Sequence, residues 1–407
     1  MTYRPLTLAL LSVGFLSLQT QAAPSTARVI VLPACLTQSV SVPYTMLATD
    51  KTLNLLAVDD DVLPAFADAK HQTSTPCGGF MDVTEEWHTF QKQHALVSGK
   101  QAKTFLKSFH MEAESPAIAP NDYQIRYQTI VTKLLGTTDP NRMWSDLKTL
   151  SNFKNRNARS DYGVQAADWI KTQVADMAKS YGRDDVSIRL VATPGYKQPS
   201  VVAKIGTSNE AGIVIGAHMD TTSYFSERQP GADDDGSGSV TVLEVVRTLL
   251  ASDVHFNKPI YAIWYAAEEA GLVGSKYVVQ DFQQKKIPVS EVLHLDMTGF
   301  PDSQDPNAIW LITDYVHADL TNYMKQLINT YVKQPIGITK CGYACSDHAS
   351  WTKAGFKAVI PTESAFERMN HDIHSANDTM DKLSLKHMSD YSKLGIAFVA
   401  ELAEPVG

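Results

Sequence analysis

Histidine and carboxylate residues recur in short clusters through the second half of this 407-residue chain. In chain order they are His218 and Asp220 in GAHMD, Asp233, Asp234 and Asp235 in GADDDGSG, Glu268 and Glu269 in YAAEE, Asp296 in LHLDMTG, and His374 in NHDIHSAND. One such cluster is usually a helix cap, and a lone histidine is usually structural. Helix capping alone does not account for four clusters and a further histidine, His374, near the end of the chain. Imidazole and carboxylate ligands suit Zn²⁺ or a similar cation, and two cations would offset the repulsion among so many carboxylates.

The segments that must position these side chains have the pattern of an α/β domain. Short apolar runs predict buried strands at residues 211–217, 259–267, 292–295, 308–312 and 356–360. Helices are predicted at residues 164–181 and 237–251. The clusters at His218, Glu268 and Asp296 each follow an apolar run. Because open α/β sheets bind ligands beyond the carboxyl ends of their strands, we expect these clusters to form one site.

Residues 23–120 are predicted to form a separate, small α+β unit. Apolar stretches lie at residues 28–36 and 44–58, and residues 85–110 have the pattern of one helical run. The segment MEAESPAIAPN at residues 111–121 is typical of a linker. No catalytic cluster is evident in this unit. It is either an accessory domain or a propeptide that assists folding or covers the active site.

The amino-terminal residues 1–22 are predicted to be a secretory signal peptide. Arg4 precedes an apolar run at residues 6–18, and small residues follow up to a cleavage point after Ala22. A membrane anchor is the alternative, but the run is shorter than the roughly 20 residues that a span requires. We therefore expect a secreted or periplasmic protein without a membrane anchor.

Export makes disulfide bonds possible for the four cysteines, Cys35, Cys77, Cys341 and Cys345. Spacing allows three connectivities, of which pairing by neighbourhood is the simplest. The CxxxC segment that begins at Cys341 could instead bind a metal or be redox-active, although the histidine and carboxylate clusters favour a structural bridge.

The formal charge of −8 offers no basic surface for a phosphate backbone, so a nucleic-acid partner is not expected. A serine mechanism is also disfavoured. The GSGS segment at residues 236–239 is not a G-x-S-x-G elbow, and a triad that uses Asp347 and His348 would leave the other carboxylates without a task.

These segments together resemble the M28 family of zinc aminopeptidases, and most of all its secreted bacterial leucyl aminopeptidases. The resemblance covers residues 122–401, and it is carried by GAHMDTTS, PGADDDGSG, YAAEEAGLVGS, LHLDMTG, CGYACSDHASW and IHSANDT, in the family's order and spacing. It implies an α/β fold of the zinc exopeptidase type for residues 121–407, with a mostly parallel central sheet flanked by helices.

The resemblance also implies a ligand set for two Zn²⁺ per chain. Asp234 would bridge both ions, His218 and Asp296 would complete one site, and Glu269 and His374 would complete the other. Two cations about 3.5–4 Å apart lower the pKa of a shared water and polarise the scissile carbonyl.

Other roles follow from the same likeness. Glu268 matches the general base that activates the metal-bound water, and Asp220 matches a residue that orients His218. Tyr343 would stabilise the developing oxyanion from a loop closed by a Cys341–Cys345 disulfide. The Asp234–Asp235 peptide bond is expected to be cis.

A substrate pocket is implied for six apolar residues: Met297, Ile312, Ile360, Phe366, Met369 and Ile373. Such a pocket favours leucine-like or aromatic first residues. Thr362 and Met369 stand where the family's similar members have aromatic residues, which indicates a roomier pocket.

The chain is thus predicted to be a monomeric di-zinc aminopeptidase, made as a zymogen, that acts on peptides with a free amino terminus. Two alternatives stay open. One is a related metalloenzyme of the same fold, such as a glutaminyl cyclase or a carboxypeptidase-like enzyme. The other is a binding module that has lost catalysis, although every residue of the family's site is present.

Overall fold

The computed structural model describes residues 27–72, 78–94, 97–109 and 123–406. The predicted signal peptide, Cys77 and the predicted linker lie outside these ranges, so the domain boundaries and the Cys35–Cys77 pairing stay predictions. The described chain forms an N-terminal unit (residues 27–109) and a C-terminal unit (residues 123–406), each with a sheet of its own.

The strands, numbered in chain order, are β1 (Ala27–Pro33), β2 (Thr45–Thr49), β3 (Leu53–Asp59), β4 (Met81–Asp82), β5 (Val186–Val191), β6 (Ser200–Ile205), β7 (Gly212–His218), β8 (His255–Phe256), β9 (Ile260–Tyr265), β10 (Val289–His294), β11 (Ile309–Ile312), β12 (Ile336–Thr339), β13 (Lys357–Val359), β14 (Pro361–Thr362) and β15 (Pro405–Val406).

The helices are α1 (Leu36–Ser39), α2 (Leu63–Gln72), α3 (Thr84–Gln93), α4 (Gly99–Lys107), α5 (Gln128–Leu135), α6 (Pro140–Asn152), α7 (Asp161–Ser180), α8 (Gly238–Leu250), α9 (Val273–Gln284), α10 (Ala318–Leu327), α11 (His348–Lys353) and α12 (Leu385–Ala403). None of the helices in the described part of the chain combines the length and apolar character that a membrane crossing requires.

A six-stranded sheet in the order β13-β10-β7-β9-β6-β5 forms the centre of the C-terminal unit. The first four strands are parallel to one another. At one edge of the sheet, β6 pairs antiparallel with β9, and β5 pairs antiparallel with β6. The predicted mostly parallel α/β sheet is therefore confirmed. Every residue of β7 and β9 is buried, which explains their unbroken apolar sequences. One predicted strand, β11, lies in a separate three-stranded sheet, β12-β11-β14.

Helices cover both faces of the central sheet. The larger apolar cluster joins β6, β7 and β9 to α5, α7, α8, α10 and α12. The smaller one packs α9 and α11 on the opposite face. Gly395 on α12 permits close packing there, because a Cβ atom at this position would lie 2.9 Å from Val245 Cγ2 and 3.1 Å from Ile215 Cδ1.

The N-terminal unit is an antiparallel sheet, β2-β3-β1-β4, packed with α1 to α4. The single helical run predicted at residues 85–110 is wrong, because two helices occupy it. Ser98 begins the second helix with a capping box, in which its hydroxyl accepts from Gln101 N while the Gln101 side chain accepts from Ser98 N. This reciprocal capping satisfies two backbone N–H groups at the start of the second helix, which fixes where that helix begins.

Charged and backbone contacts join the two units. The Asp60 carboxylate accepts hydrogen bonds from Arg28 Nε at 2.6 Å within its own unit and from Arg159 Nη2 at 2.7 Å across the interface. Asp82 N donates to Gly271 O at 3.1 Å. The N-terminal unit is therefore anchored by specific polar contacts as well as by packing.

Arg156 is a fully buried cation beneath the loop that links β7 to α8. Its guanidinium donates to Met219 O at 2.8 Å, Pro230 O at 2.6 Å and Gly231 O at 2.8 Å. Burial lowers the pKa of Arg156, and nearby buried carboxylates oppose that effect. One side chain thus holds both ends of the loop and offsets negative charge next to it.

We expect Arg156→Met to lower the free energy of unfolding by about 3–5 kcal/mol, because several buried carbonyls would lose their donor at roughly 1–3 kcal/mol each. Urea denaturation measures the loss. Arg142→Met, a half-exposed arginine on α6, is the control and should change stability by about 0.5 kcal/mol or less. Equal losses in the two variants would contradict the role given to Arg156.

Candidate metal centre

The parallel strands bring the sequence clusters to one edge of the central sheet. His218 is the last residue of β7, Glu268 and Glu269 follow β9, and Asp296 follows β10. Because β10, β7 and β9 are neighbours and run in the same direction, their carboxyl ends meet. Asp234 enters from the turn before α8.

Two groups of potential ligand atoms lie at this edge and share one carboxylate. His218 Nε2 lies 2.9 Å from Asp234 Oδ1 and 3.6 Å from Asp296 Oδ1. His374 Nε2 lies 3.0 Å from Asp234 Oδ2 and 2.9 Å from Glu269 Oε2. Within each group the ligand atoms are all within 4.8 Å of one another. Asp234 therefore presents one oxygen to each group, as a carboxylate that bridges two cations does.

The electrostatics of the site favour positive charge. Burial lowers the pKa of His218, but the carboxylates of Asp296 and Asp220 outweigh burial and raise it well above its ordinary value. His374 is affected similarly by burial and by Glu269. Burial raises the pKa of Asp234, yet its contacts with the two imidazoles hold that pKa well below the usual range. A site with these properties attracts protons or metal ions.

Asp220 connects one histidine to the glutamate pair. Its Oδ1 lies 3.5 Å from His218 Nδ1, on the side of the ring opposite Asp234 and Asp296. The same carboxylate accepts from Glu268 N at 3.0 Å and from Glu269 N at 3.3 Å. It therefore faces the ring of His218 while it binds the backbone that carries both glutamates.

The other two aspartates of the DDD segment are also structural supports. The Asp235 carboxylate accepts from His218 N at 3.1 Å and Met297 N at 3.2 Å, so it joins the ends of β7 and β10. Asp233 accepts from Asn370 Nδ2 at 3.0 Å, which fixes the loop that leads to His374. The Asp234–Asp235 peptide bond is cis.

A pocket opens beside the shared carboxylate. Glu268, Asp234 and Asp296 form its polar floor, and Tyr343 forms part of a wall. The apolar lining includes all six residues that the sequence assigned to a substrate pocket: Met297, Ile312, Ile360, Phe366, Met369 and Ile373. Thr362 also lines it. Cys341 and Cys345 form a disulfide bond at the rim.

The serines of the GSGS segment are engaged elsewhere. Ser237 Oγ donates to Asp233 O at 2.9 Å, and Ser239 Oγ donates to His218 O at 2.6 Å. His348 lies against another imidazole instead, with its ring 6.4 Å from that of His294. A hydroxyl that donates to a backbone carbonyl has no base to activate it, so this segment does not form a triad.

Three supporting residues were missed from the sequence. Asp378 accepts from the backbone N–H groups of Asp233 at 3.0 Å and Asp234 at 3.1 Å, and its place in IHSANDT could have indicated a role. Phe80 and Asp68 come from the N-terminal unit and reach the site, Phe80 in a small cavity that also borders Glu268. No sequence signal marks these two, because their proximity depends on how the units dock.

Comparison with known proteins agrees with this geometry. The family model described as peptidase family M28 matches residues 200–399. Leucine aminopeptidase 1 of Pyrenophora teres f. teres (strain 0-1) is 38% identical over 288 residues, which are 68% of this chain and 74% of the relative. Leucine aminopeptidase 1 of Metarhizium robertsii (strain ARSEF 23 / ATCC MYA-3075) is 39% identical over 285 residues, 68% of this chain and 72% of the relative.

A solved structure extends the likeness to both units. The LapA aminopeptidase of Legionella pneumophila superposes with a TM-score of 0.83 at 39% identity, and covers 94% of this chain and 99% of its own. The sequence identity, the shared fold and the paired ligand groups lead to one conclusion: the chain belongs to peptidase family M28 and is a metallo-aminopeptidase.

Proposed function

We propose that this chain is an exported aminopeptidase that uses two Zn²⁺ to hydrolyse the first peptide bond of peptides, preferring apolar first residues. The observation that carries the proposal is Asp234, whose two oxygens face two separate ligand groups. His218 and Asp296 complete one group, and Glu269 and His374 complete the other.

The residues present fit zinc. Each group offers one imidazole nitrogen and two carboxylate oxygens, a donor set that suits Zn²⁺ and leaves a position open for water or substrate. Asp296 Oδ1 is buried without a hydrogen-bond donor, as expected of an oxygen reserved for a metal. When bound, the two ions supply the Lewis acidity that activates water and polarises the scissile carbonyl.

Glu268 is the proposed general base. It lines the pocket beside Asp234, and Asp220 fixes its backbone N–H. A carboxylate held in this place accepts a proton from the attacking water and returns it to the leaving amine. Its neighbour Glu269 points to the His374 group instead, so that the two adjacent glutamates serve different tasks.

Tyr343 is proposed to stabilise the oxyanion that develops on the scissile carbonyl. The residue lies between the two cysteines of the Cys341–Cys345 disulfide and lines the same pocket. Its ring packs edge-on against Phe366 with centroids 6.0 Å apart, which restricts the position of the hydroxyl. Preorganised donors of this kind stabilise tetrahedral intermediates in a water-poor site.

Hydrolysis at the first residue alone is proposed to follow from the charge of the free α-amine. This amine is positively charged and would meet the carboxylates of Asp234, Glu268 and Asp296 that line the pocket. An internal residue of a peptide offers no such charge.

The position of the N-terminal unit supports a zymogen. Gly78 lies so close to Tyr343 that a Cβ at this position would be 3.0 Å from the tyrosine ring, and Phe80 borders Glu268. The N-terminal unit therefore covers part of the route to the reacting groups. Its displacement would widen access to the pocket.

We expect the purified chain to hydrolyse leucine p-nitroanilide, to lose this activity with a zinc chelator and to regain it with Zn²⁺. Glu268→Gln should keep both zinc ions while turnover falls about 10²–10⁴-fold, because only the proton acceptor is removed. Glu269→Gln is the matched control and should weaken zinc binding itself. Near-normal turnover by Glu268→Gln would contradict the assignment of the base.

Met369→Phe should narrow the pocket and select against aromatic first residues. The expected result is a roughly tenfold fall in the ratio of kcat/KM for phenylalanine p-nitroanilide to that for leucine p-nitroanilide, within the range that pocket volume controls. Met46→Phe, an exposed methionine in the N-terminal unit, is the control. An unchanged kcat/KM ratio in Met369→Phe would contradict the assignment of Met369 to the substrate pocket.

Cleavage at an engineered protease site within residues 110–122 tests the zymogen. The cut parent should retain the N-terminal unit and gain little activity, whereas cut Asp60→Ala should hold the unit more weakly, release a larger fraction of it and gain activity severalfold in excess zinc. Gel filtration and hydrolysis of leucine p-nitroanilide report the two effects. Asp61→Ala, at the exposed neighbour, is the control. If the unit is released and activity does not rise, the zymogen proposal is wrong and the unit is an accessory domain.

A further inference from the structure

Each of the two histidines in the metal centre has a carboxylate behind its ring. Asp220 Oδ1 lies 3.5 Å from His218 Nδ1, and Asp68 Oδ1 lies 3.5 Å from His374 Nδ1. Both carboxylates are buried, at 1% and 5% exposure. Metal-binding imidazoles usually donate their second N–H to such a carboxylate, which fixes the tautomer and orientation of the ring.

The two carboxylates differ in origin. Asp220 follows His218 by two residues, so the C-terminal unit supplies both. Asp68 belongs to α2 of the N-terminal unit, 306 positions before His374 in the sequence. Within the described residues, the second pair therefore exists only while the two units are docked.

Asp68 is held in place from both sides of the interface. Ala67 and Ala69 beside it are buried in the N-terminal unit, and Asp68 Oδ2 accepts from Tyr224 N of the C-terminal unit at 3.0 Å. One carboxylate oxygen thus contacts a backbone amide while the other faces His374. This arrangement leaves the carboxylate little freedom to turn away from the imidazole.

The contact lies on the side of the ring that does not face the ligand groups. His374 Nε2 points to Asp234 and Glu269, whereas Asp68 faces Nδ1. An inhibitory segment that displaced a ligand would have to approach the Nε2 side. Asp68 therefore supports the ligand and does not compete with the metal.

His374 has particular need of such support. His218 ends a buried strand, but His374 lies in a loop and has a left-handed backbone, with φ of 56°. This conformation is uncommon for a residue other than glycine and persists where surrounding contacts enforce it. A fixed partner at Nδ1 is one of those contacts.

We propose that Asp68 is a positioning residue for His374, so that the N-terminal unit forms part of the metal centre as well as covering it. The inference rests on the two-metal site proposed above. It predicts that the ion held by Asp234, Glu269 and His374 depends on Asp68, and that the ion held by His218 and Asp296 does not.

The test measures zinc affinity in the full chain by competition with a chromogenic chelator. Asp68→Ala should lower the affinity for one of the two zinc ions by about 10–100-fold and leave the affinity for the other unchanged. Asp68→Asn should recover most of the loss, because its amide oxygen still accepts from Nδ1–H. At saturating zinc, kcat of Asp68→Ala should return to within a few-fold of the parent.

Asp60→Ala in the uncut chain is the control, since it removes a contact at the same interface without touching His374. With the unit still docked it should leave the affinity for both ions unchanged. If docked Asp60→Ala weakens the same ion as much as Asp68→Ala does, the effect is not specific to the Nδ1 partner and the proposal is overturned. Parental affinity for both ions in Asp68→Ala also overturns it. A parent chain that binds no zinc would instead refute the metal centre itself. Limited proteolysis confirms that the variants keep the N-terminal unit docked.

Discussion

The concentration of buried carboxylates at one edge of the central sheet is the constraint on which the rest of this structure depends. Asp220, Asp234, Glu268, Glu269 and Asp296 are all buried or nearly so within one small region. Uncompensated, such a group of charges would oppose folding, because each ion loses hydration that nothing restores. Two divalent cations would offset most of this charge, and the two imidazoles would bind them in the neutral form. The same carboxylate cluster thus underlies both the proposed metal binding and the proposed hydrolysis.

Several buried side chains around the site hold the backbone that carries these carboxylates. Asp235 joins the ends of β7 and β10, Asp378 binds the backbone of the DDD segment, and Arg156 holds the loop that connects β7 to α8. Each does so by binding backbone N–H or C=O groups, which fixes the main chain from which the ligand side chains project.

The sequence predicted those features that local patterns of residues determine, namely the strands and the site residues at their ends. Unbroken apolar runs identify the parallel strands, and the polar residues at their ends converge once the strands are adjacent, as His218 and Asp296 do. Prediction failed where structure depends on distant docking. Asp68 has no local pattern that separates it from a surface carboxylate of α2. Residues 85–110 were misread as one helix because the apolar pattern does not reveal the start of the second helix, which the capping box at Ser98 fixes.

The two histidines of the centre also differ in how the fold secures them, and this bears on how the N-terminal unit acts. His218 is held within its own unit, so its geometry is established as soon as the central sheet forms. His374 faces Asp68 across an interface, and Phe80 at that interface lines a cavity with Glu268. Displacing the N-terminal unit would therefore widen access and loosen one ligand together. The balance between these effects depends on zinc concentration, since excess metal compensates for a weaker ligand but not for a blocked pocket. If Asp68 positions His374 as proposed, a docked N-terminal unit couples substrate access to metal occupancy.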